Sequence, residues 1–220
     1  CGEDTLPACS DETVKIVEVT PYRLETTYSD NRHPDEVIWS KNIEDDLKRR
    51  DFTCNAIAYN PVTGEIVDPF GGIADIEAKI IRAVGSPDLR FNEDALRLMR
   101  GIRFMSQLDF DIESVTRESI SKNAKLLNNV SRERVKDEFV KLVMTDYPMR
   151  GHVIMKETGL LEYVIPELLR GVGVTQNQAH AYDVWEHNLR TLQHAADKKW
   201  PLHVRLSAIF HDISKPETKR

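Results

Sequence analysis

The stretch EDDLKRRDFTCNAIAYN, residues 44–60, decides the fold of the first part of this chain. Its charged half predicts a short polar helix over residues 43–50. Its apolar half and the segment EIVD flank a four-residue turn with Pro and Gly at 61–64, which predicts a β-hairpin over residues 56–67. The stretch therefore indicates a region of mixed strand and helix.

Two more distinctive segments follow. They are DPFGG at residues 68–72 and the mixed acidic and basic segment NEDALRLMR at residues 92–100. The β-branched run at 13–22 predicts a strand, and residues 80–84 predict another. From residue 92 onward, apolar residues recur at helical spacing and prolines separate the helices. The predicted fold class is α+β, with a second part that is all helix.

Composition places the chain among soluble globular proteins, since 40% of its 220 residues are hydrophobic and 30% are charged. The net charge of -6 argues against a coat of nucleic acid over the whole chain, although local basic clusters can still bind phosphate. Cys1, Cys9 and Cys54 form no CxxC pair, which favours a reducing compartment, the cytoplasm. No apolar stretch reaches the length of a membrane span.

The two ends of the sequence indicate a fragment of a longer protein. The first residues, CGEDTLPACSDET, lack an initiating Met and the basic-then-apolar order of a signal peptide. The last residues are HDISKPETKR.

The charged segment at residues 92–100 allows two interpretations. Asn92 can cap a helix whose first turn carries two carboxylates, and Arg97, Arg100 and Arg103 follow at steps of three. Such a row forms either an exposed ladder of ion pairs or a ligand site, and spacing alone favours the ladder. The same choice applies to residues 49–51, where cations suit the end of a short helix.

These three segments, in this order along the chain, resemble the motifs of class II tRNA nucleotidyltransferases, the CCA-adding enzymes, and of the similar bacterial poly(A) polymerases. The resemblance runs from about residue 17 to the last residue. The matching segments are RRDFTCNAIAY (RRDxTxNA), DPFGGIADIEAKIIRAV (DPxxG), NEDALRLMRGIRF (EDxxRxxR), SRERVKDEF (ERxxxE) and GLLEYVIPEL.

This resemblance implies transfer of nucleotidyl groups from CTP or ATP to the 3′ end of tRNA, with release of pyrophosphate and without a nucleic-acid template. It implies a partial nucleotidyltransferase head at residues 1–91 and a helical neck at 92–170 that binds RNA and nucleotide. Residues 171–220 would be the N-terminal part of an HD domain. The motifs do not separate CCA addition from CC-only, A-only or poly(A) synthesis.

The resemblance also implies roles for single residues. Asp94 and Arg97 would present an acceptor and a donor to the edge of the incoming base, because ionised Asp only accepts and Arg donates in a rigid fork. Arg50 would bind the triphosphate and Asp51 the ribose hydroxyls.

Further expected roles concern phosphate binding and a hinge. Arg100 and Arg23 are candidates for phosphate binding or orientation. Asp68 and the glycine pair at 71–72 would form a flexible connection between head and neck.

One departure from the family concerns the metal site. Members hold two ions, expected to be Mg²⁺, with a DxD pair after a GG-containing turn. No such element precedes Thr13, and Glu18 supplies a single weak candidate carboxylate. The chain is therefore expected to bind nucleotide better than it turns it over.

The C-terminal region supports a second hypothesis. His187 lies on a predicted apolar helix and His211-Asp212 follows the run LSAIF, which resembles the start of an HD phosphohydrolase domain. These side chains suit a divalent metal that activates water, although the final Asp of that family would lie beyond the last residue. The other histidines of the region are interpreted as structural: His180, His194 and His203.

A third hypothesis is a non-catalytic RNA-binding remnant whose basic side chains cradle tRNA phosphates. It ranks below the first two, because basic residues so close to acids form internal ion pairs more often than they bind RNA. The residues concerned are Arg132, Arg134, Lys136 and Lys141.

Overall fold

The computed structural model describes residues 20–25, 37–175 and 182–218, with backbone only at 23–25, 37 and 38. Residues 13–19 of the predicted strand over 13–22 lie outside these ranges, and residues 20–22 are not in a strand. Within them, no helix combines the length and the apolar character that a membrane crossing requires.

The described ranges contain eleven α-helices, six short strands and three 3-10 helices (Thr53–Asn55, Ala124–Asn129 and Pro166–Gly171). The strands are β1 (Arg23–Glu25), β2 (Val37–Trp39), β3 (Ala58–Tyr59), β4 (Ile66–Val67), β5 (Ile80–Ile81) and β6 (Asp111–Ile112). The helices are α1 (Ile43–Lys48), α2 (Gly72–Glu77), α3 (Pro87–Glu93), α4 (Arg97–Leu108), α5 (Ser114–Asn123), α6 (Arg132–Val143), α7 (Pro148–Glu157), α8 (Leu161–Val164), α9 (Val184–Asp197), α10 (Leu202–Phe210) and α11 (Lys215–Thr218).

The first part of the chain has the predicted mixture of helix and hairpin. α1 begins where the Asn42 side chain accepts a hydrogen bond from Glu44 N (3.1 Å), and it ends two residues earlier than predicted. β3 and β4 pair antiparallel, with Ala58 opposite Val67, so the hairpin is confirmed. β1 and β2 form a second antiparallel pair.

The predicted helix start at Asn92 is wrong. Asn92 lies inside α3, which begins at Pro87, and Asp94 is extended (φ -144°, ψ 105°) between α3 and α4. Proline suits the first turn of a helix, where its missing N–H costs nothing, and this signal outweighs the Asn cap. α4 begins at Arg97, and the two helices are separated by a short kink.

The second part is also not purely helical. β6 follows α4 and pairs parallel with β5, with Ile81 opposite Ile112. α4 ends because Asp109 adopts a left-handed conformation (φ 55°) that reverses the chain. The predicted strand over residues 80–84 is confirmed only at Ile80–Ile81.

One continuous apolar core joins the first part to the helices. Phe52 and Ile81 are fully buried in the same cluster as Met99, Phe139 and Leu189. The predicted domain boundary between residues 91 and 92 stays a prediction, and the core runs across it.

A buried arginine attaches the C-terminal helices to this core. Arg205 on α10 donates to the carbonyl oxygens of Val143 (3.1 Å), Thr145 (2.7 Å) and Trp200 (2.9 Å). Its burial lowers the pKa of the guanidinium below the ordinary value. Because Val143 and Thr145 lie at the end of α6, Arg205 holds α10 against that helix.

The segment DPFGG is a tightly packed cap. The Asp68 carboxylate accepts hydrogen bonds from Gly72 N (2.7 Å) and Ile73 N (2.9 Å) at the start of α2. A Cβ at Gly72 would lie 2.2 Å from the carbonyl oxygen of Thr53. Close packing therefore requires this glycine. The flexible connection expected at this segment stays a prediction.

Gly72→Ala should lower the free energy of unfolding by about 2–3 kcal/mol, because the methyl group meets backbone that cannot move aside. The matched control is Gly64→Ala, where φ is +74° and a Cβ meets nothing within 4 Å. It should cost only about 1 kcal/mol of backbone strain. Urea unfolding of both variants measures the difference, and equal losses would contradict it.

His152 on α7 is a buried histidine that the sequence analysis missed. Its Nδ1 lies 2.7 Å from Pro148 O and therefore carries the proton, while Nε2 has no hydrogen-bond partner among the described residues. The Phe139 ring packs edge-on against it. Burial lowers the pKa of the imidazole to about 4.

His152 should make the protein less stable at acidic pH. Below pH 6.5 the unfolded chain takes up a proton here, whereas the folded protein does so only near pH 4. The stability is fully present above pH 6.5 and falls by about 3 kcal/mol as the pH drops to 4. In urea unfolding at stepped pH, His152→Gln should remove this slope. The exposed control His203→Gln should retain it, and an unchanged slope in His152→Gln would refute the assignment.

Candidate nucleotide-binding cleft

A cleft of about 510 Å³ opens where the end of α1, the start of α4 and the start of α6 meet. Five of the six predicted nucleotide-binding residues line it. The described lining is Arg49, Arg50, Asp51, Asn55, Asp94, Leu96, Arg97, Arg100, Phe104 and Arg134. Five guanidinium groups against two carboxylates give the cleft a net positive charge.

Asp51 forms the buried wall of the cleft. Its Oδ2 accepts from Nε and Nη2 of Arg100, both at 2.7 Å. Its Oδ1 accepts from Phe52 N (2.9 Å) and from the amide nitrogen of Asn55 (3.1 Å). With a side chain only 8% exposed, Asp51 holds Arg100 in place. The expected contact of Asp51 with ribose hydroxyls stays a prediction.

Asp94 faces the cleft from the kink between α3 and α4. Its Oδ1 accepts from Leu96 N (3.1 Å), and its Oδ2 accepts from Nη2 of Arg134 on α6 (2.8 Å). On a continuous helix Asp94 would face Arg97, three residues later, but the extended backbone at Asp94 turns the carboxylate toward α6 instead.

Arg97 lies beside Asp94 and is held by other partners. Its Nη1 donates to Glu93 (2.6 Å) and to Arg90 O (3.1 Å), and its Nη2 donates to Arg49 O (3.0 Å). The side chain is 11% exposed. Arg97 therefore pairs with Glu93, four residues earlier, within a larger set of contacts.

Arg50 is the most exposed of the predicted site residues, with 44% of its side chain accessible. The buried carboxylate of Asp46 on α1 accepts hydrogen bonds from Arg50 (2.9 Å) and from Arg49 (2.6 Å). Burial raises the pKa of Asp46, but the hydrogen bonds and charges of the two arginines outweigh burial and hold that pKa below its ordinary value. Asp46 thus orients Arg50 at the mouth of the cleft.

Phe104 is a cleft residue that the sequence analysis missed. The guanidinium carbons of Arg100 and Arg103 lie 5.2 Å and 4.1 Å from its ring centroid, and Phe52 packs edge-on against it. Arg103 in turn donates to the buried carboxylate of Glu138. The spacing of four residues between Arg100 and Phe104 could have predicted this contact, because side chains four residues apart meet on a helix.

Three of the four basic residues of the RNA-binding hypothesis form ion pairs, and Arg132 donates to a backbone carbonyl instead. Lys136 and Lys141 stay largely exposed despite these contacts. The pairs are Arg134 with Asp94, Lys136 with Asp137 (3.3 Å), Lys141 with Glu138 (3.7 Å), and Arg132 with the carbonyl oxygen of Tyr163 (2.8 Å).

A second polar cluster lies between α9 and α10. The Nε2 atoms of His187 and His211 are 3.1 Å apart, and Asp212 Oδ2 lies 3.7 Å and 3.3 Å from them. His211 Nδ1 lies 2.8 Å from Ala208 O, which leaves Nε2 with a lone pair. The ligand atoms lie within 4.8 Å of one another, so one divalent ion could contact all three side chains. Lys215 Nζ lies 2.5 Å from the Asp212 carboxylate.

The remaining candidates are outside these sites. Glu18 and His180 lie outside the described residues, and Arg23 is described only as backbone in β1. Cys54 is free and half-buried, and burial raises the pKa of its thiol to about 11. His194 packs edge-on against Trp200, as expected of a structural histidine.

Two family profiles match the chain. Residues 3–82 match the poly A polymerase head domain, and residues 109–170 match the probable RNA and SrmB- binding site of polymerase A. The first match contains Arg50 and Asp51, and the second contains Arg134.

Curated relatives match at nearly half of the aligned positions. A CCA-adding enzyme of Lactobacillus johnsonii is 49% identical over 147 residues, which are 67% of this chain and 37% of that protein. A CCA-adding enzyme of Enterococcus faecalis is 48% identical over 157 residues, 71% of this chain and 38% of that protein. The chain thus spans less than two-fifths of the length of these relatives.

Solved structures show the same fold. The CCA-adding enzyme of Bacillus stearothermophilus in complex with CTP superposes with a TM-score of 0.63 at 34% identity, over 91% of this chain and 53% of that chain. The Thermotoga maritima CCA-adding enzyme complexed with tRNA_CCA has a TM-score of 0.54 at 22% identity, over 80% and 49%, and supports the fold alone. The predicted α+β class, with a nucleotidyltransferase head and a helical neck, is confirmed, and the chain belongs to the family of tRNA nucleotidyltransferases and poly(A) polymerases.

Proposed function

We propose that this chain is the nucleotide-selecting part of a tRNA nucleotidyltransferase that adds CCA to tRNA 3′ ends from CTP and ATP. The observation that carries the proposal is the placement of Asp94 and Arg97 side by side in one positively charged cleft. The cysteine usage supports a reducing compartment, and we assign the activity to the cytoplasm.

Asp94 and Arg97 have hydrogen-bonding capacity left for a base. Contacts among the described residues use three of the five N–H groups of Arg97, which leaves Nε–H and one N–H of Nη2. Each Asp94 oxygen accepts one hydrogen bond from a described residue and can accept another. Cytosine and adenine both present an amino donor next to a ring-nitrogen acceptor, whereas uracil and guanine present the reverse order. An acceptor beside a donor therefore selects C and A.

The other arginines suit the triphosphate. Arg50 at the cleft mouth and Arg100 on its wall present planar donor groups, which bind phosphate oxygens in pairs. Neutralisation of three phosphates requires several cations, and the excess of guanidinium over carboxylate provides them. Arg23 is proposed to contribute from β1.

The cleft aspartates do not fit the Mg²⁺ ions that the family uses for nucleotidyl transfer. Asp51 is paired with Arg100 and Asp94 with Arg134, so a guanidinium group already compensates the negative charge that a hard divalent cation needs at each carboxylate. The described cleft therefore binds and selects the nucleotide, and no chemical step is assigned to it. Glu18 stays a weak proposal for a metal ligand.

Asp94→Ala should abolish the preference for CTP and ATP over UTP and GTP, because a paired hydrogen-bond contact to a base contributes about 1–3 kcal/mol of discrimination. Calorimetric titration with each nucleotide and magnesium measures this. The matched control is Asp137→Ala, which removes a 58% exposed carboxylate on α6 outside the cleft and should bind like the wild type. Wild-type protein that binds all four nucleotides equally would refute the proposed selection.

A second candidate function is a metal-dependent phosphohydrolase of the HD type. The supporting observation is the convergence of His187, His211 and Asp212. Two imidazole nitrogens and a carboxylate suit a transition-metal ion, and such an ion would supply an activated water for attack on a phosphoester. Lys215 Nζ lies 2.5 Å from the Asp212 carboxylate, so a bound ion would have to displace this ammonium group.

Mn²⁺ should bind this cluster, and His211→Ala should weaken the binding by about tenfold or more, because it removes one of three ligands. Calorimetry with Mn²⁺, and hydrolysis of p-nitrophenyl phosphate with and without a chelator, test the site. His203→Ala on the same helix is the matched control and should bind as the wild type does. Equal Mn²⁺ affinity in both variants would eliminate the cluster as a metal site.

A further inference from the structure

Arg90 on α3 is not one of the described residues that line the cleft. Its guanidinium group nevertheless binds groups on both sides of the cleft. Its Nη1 donates to Lys48 O at the C-terminal end of α1 (3.1 Å). Its Nη2 donates to Glu93 Oε1 (2.5 Å). One guanidinium group thus joins α1 to the kink that carries the base-reading residues.

Glu93 binds Arg97 as well as Arg90. The second oxygen of Glu93 accepts from Arg97 Nη1 (2.6 Å), which also donates to the backbone oxygen of Arg90 (3.1 Å). Arg97 Nη2 donates to Arg49 O (3.0 Å). The contacts close a ring in which two arginines share one carboxylate, and in which each binds one of two consecutive carbonyls at the end of α1.

The ring connects the two halves of the cleft. Lys48 and Arg49 immediately precede Arg50 and Asp51, the phosphate and ribose side of the proposed site. Arg97 belongs to the base side. The orientation of one half is therefore tied to the other through Arg90 and Glu93, which are not among the described residues that line the cleft.

The members of the ring are mostly withdrawn from solvent, with side-chain exposures of 16%, 22% and 11% for Arg90, Glu93 and Arg97. Hydrogen bonds between charged groups are stronger in such surroundings than at an open surface. The shared carboxylate also costs less side-chain entropy per bond than two isolated pairs, since Glu93 is ordered once. We therefore expect the ring to hold the guanidinium group of Arg97 in one orientation.

We propose that Arg90 is a positioning residue for nucleotide selection, which orients Arg97 through Glu93 and through the α1 carbonyls. This inference rests on the proposed nucleotide-binding function. A guanidinium fork reaches Lys48 O and Glu93 together, whereas the single ammonium of a lysine cannot reproduce that planar geometry. Without the fork, Glu93 loses the partner that fixes one of its two oxygens, and the carboxylate that binds Arg97 is held less firmly.

The test separates base selection from general affinity. Arg90→Lys and Arg90→Ala are titrated with CTP, UTP and inorganic tripolyphosphate, and their thermal unfolding is measured. Both variants should lower the ratio of CTP to UTP affinity by about tenfold, because the donor edge of Arg97 is no longer directed at the base. Tripolyphosphate affinity should change less than twofold. The matched control is Arg117→Ala, which removes an exposed arginine paired with Glu157 and should leave all three affinities unchanged.

Three results would overturn the inference, and they differ from one another. If Arg90→Lys keeps the wild-type ratio of CTP to UTP affinity, the fork geometry has no positioning role. If all three ligands weaken in parallel with the melting temperature, the role of Arg90 is structural. If the wild type itself does not discriminate between CTP and UTP, the proposed function fails first and the inference fails with it.

Discussion

The desolvated carboxylate of Asp51 needs a cation, and this requirement organises the cleft. Phe52 is completely buried, and a Cβ at Gly101 would lie only 3.0 Å from its ring. The burial of Phe52 against α4 draws the neighbouring Asp51 inward. Arg100, one turn further from the start of α4 than Arg97, supplies the charge. Because an unpaired buried carboxylate would cost several kcal/mol, the end of α1 and the start of α4 must stay in register.

A similar compensation preorganises the other cationic groups of the cleft. Asp46 holds Arg50, Asp94 holds Arg134, and Glu93 holds Arg97. Each guanidinium is thus directed before a ligand arrives, which reduces the side-chain entropy that binding would otherwise cost. Ion pairs also occupy both carboxylates that line the cleft, so the excess of guanidinium groups favours an anion over a free divalent cation.

The sequence predicted local structure, and which residues meet in one cleft, better than it predicted the contacts within the cleft. The hairpin over residues 56–67 and the helix α1 follow from turn chemistry and charge placement over a few residues. The five cleft residues came from recognisable motifs. The partner of Asp94 could not be read from spacing, because Arg134 is forty residues away and meets it only after α4 and α6 have packed. The Asn92 cap failed because Pro87 starts a helix earlier, and β6 is too short to show a pattern of its own.

Helix α6 links the cleft to the C-terminal cluster. Its first turn supplies Arg134 to Asp94, and its buried Glu138 accepts from Arg103 beside the cleft aromatic ring. Its last turn and the residues that follow supply the carbonyls that bind Arg205. Arg205 lies on α10, whose end carries His211. The buried guanidinium has no carboxylate partner among the described residues, so it depends on these backbone oxygens staying in place. Displacement of α10 would therefore remove Arg205 from the carbonyl oxygens at the end of α6, the same helix whose first turn supplies Arg134 to Asp94.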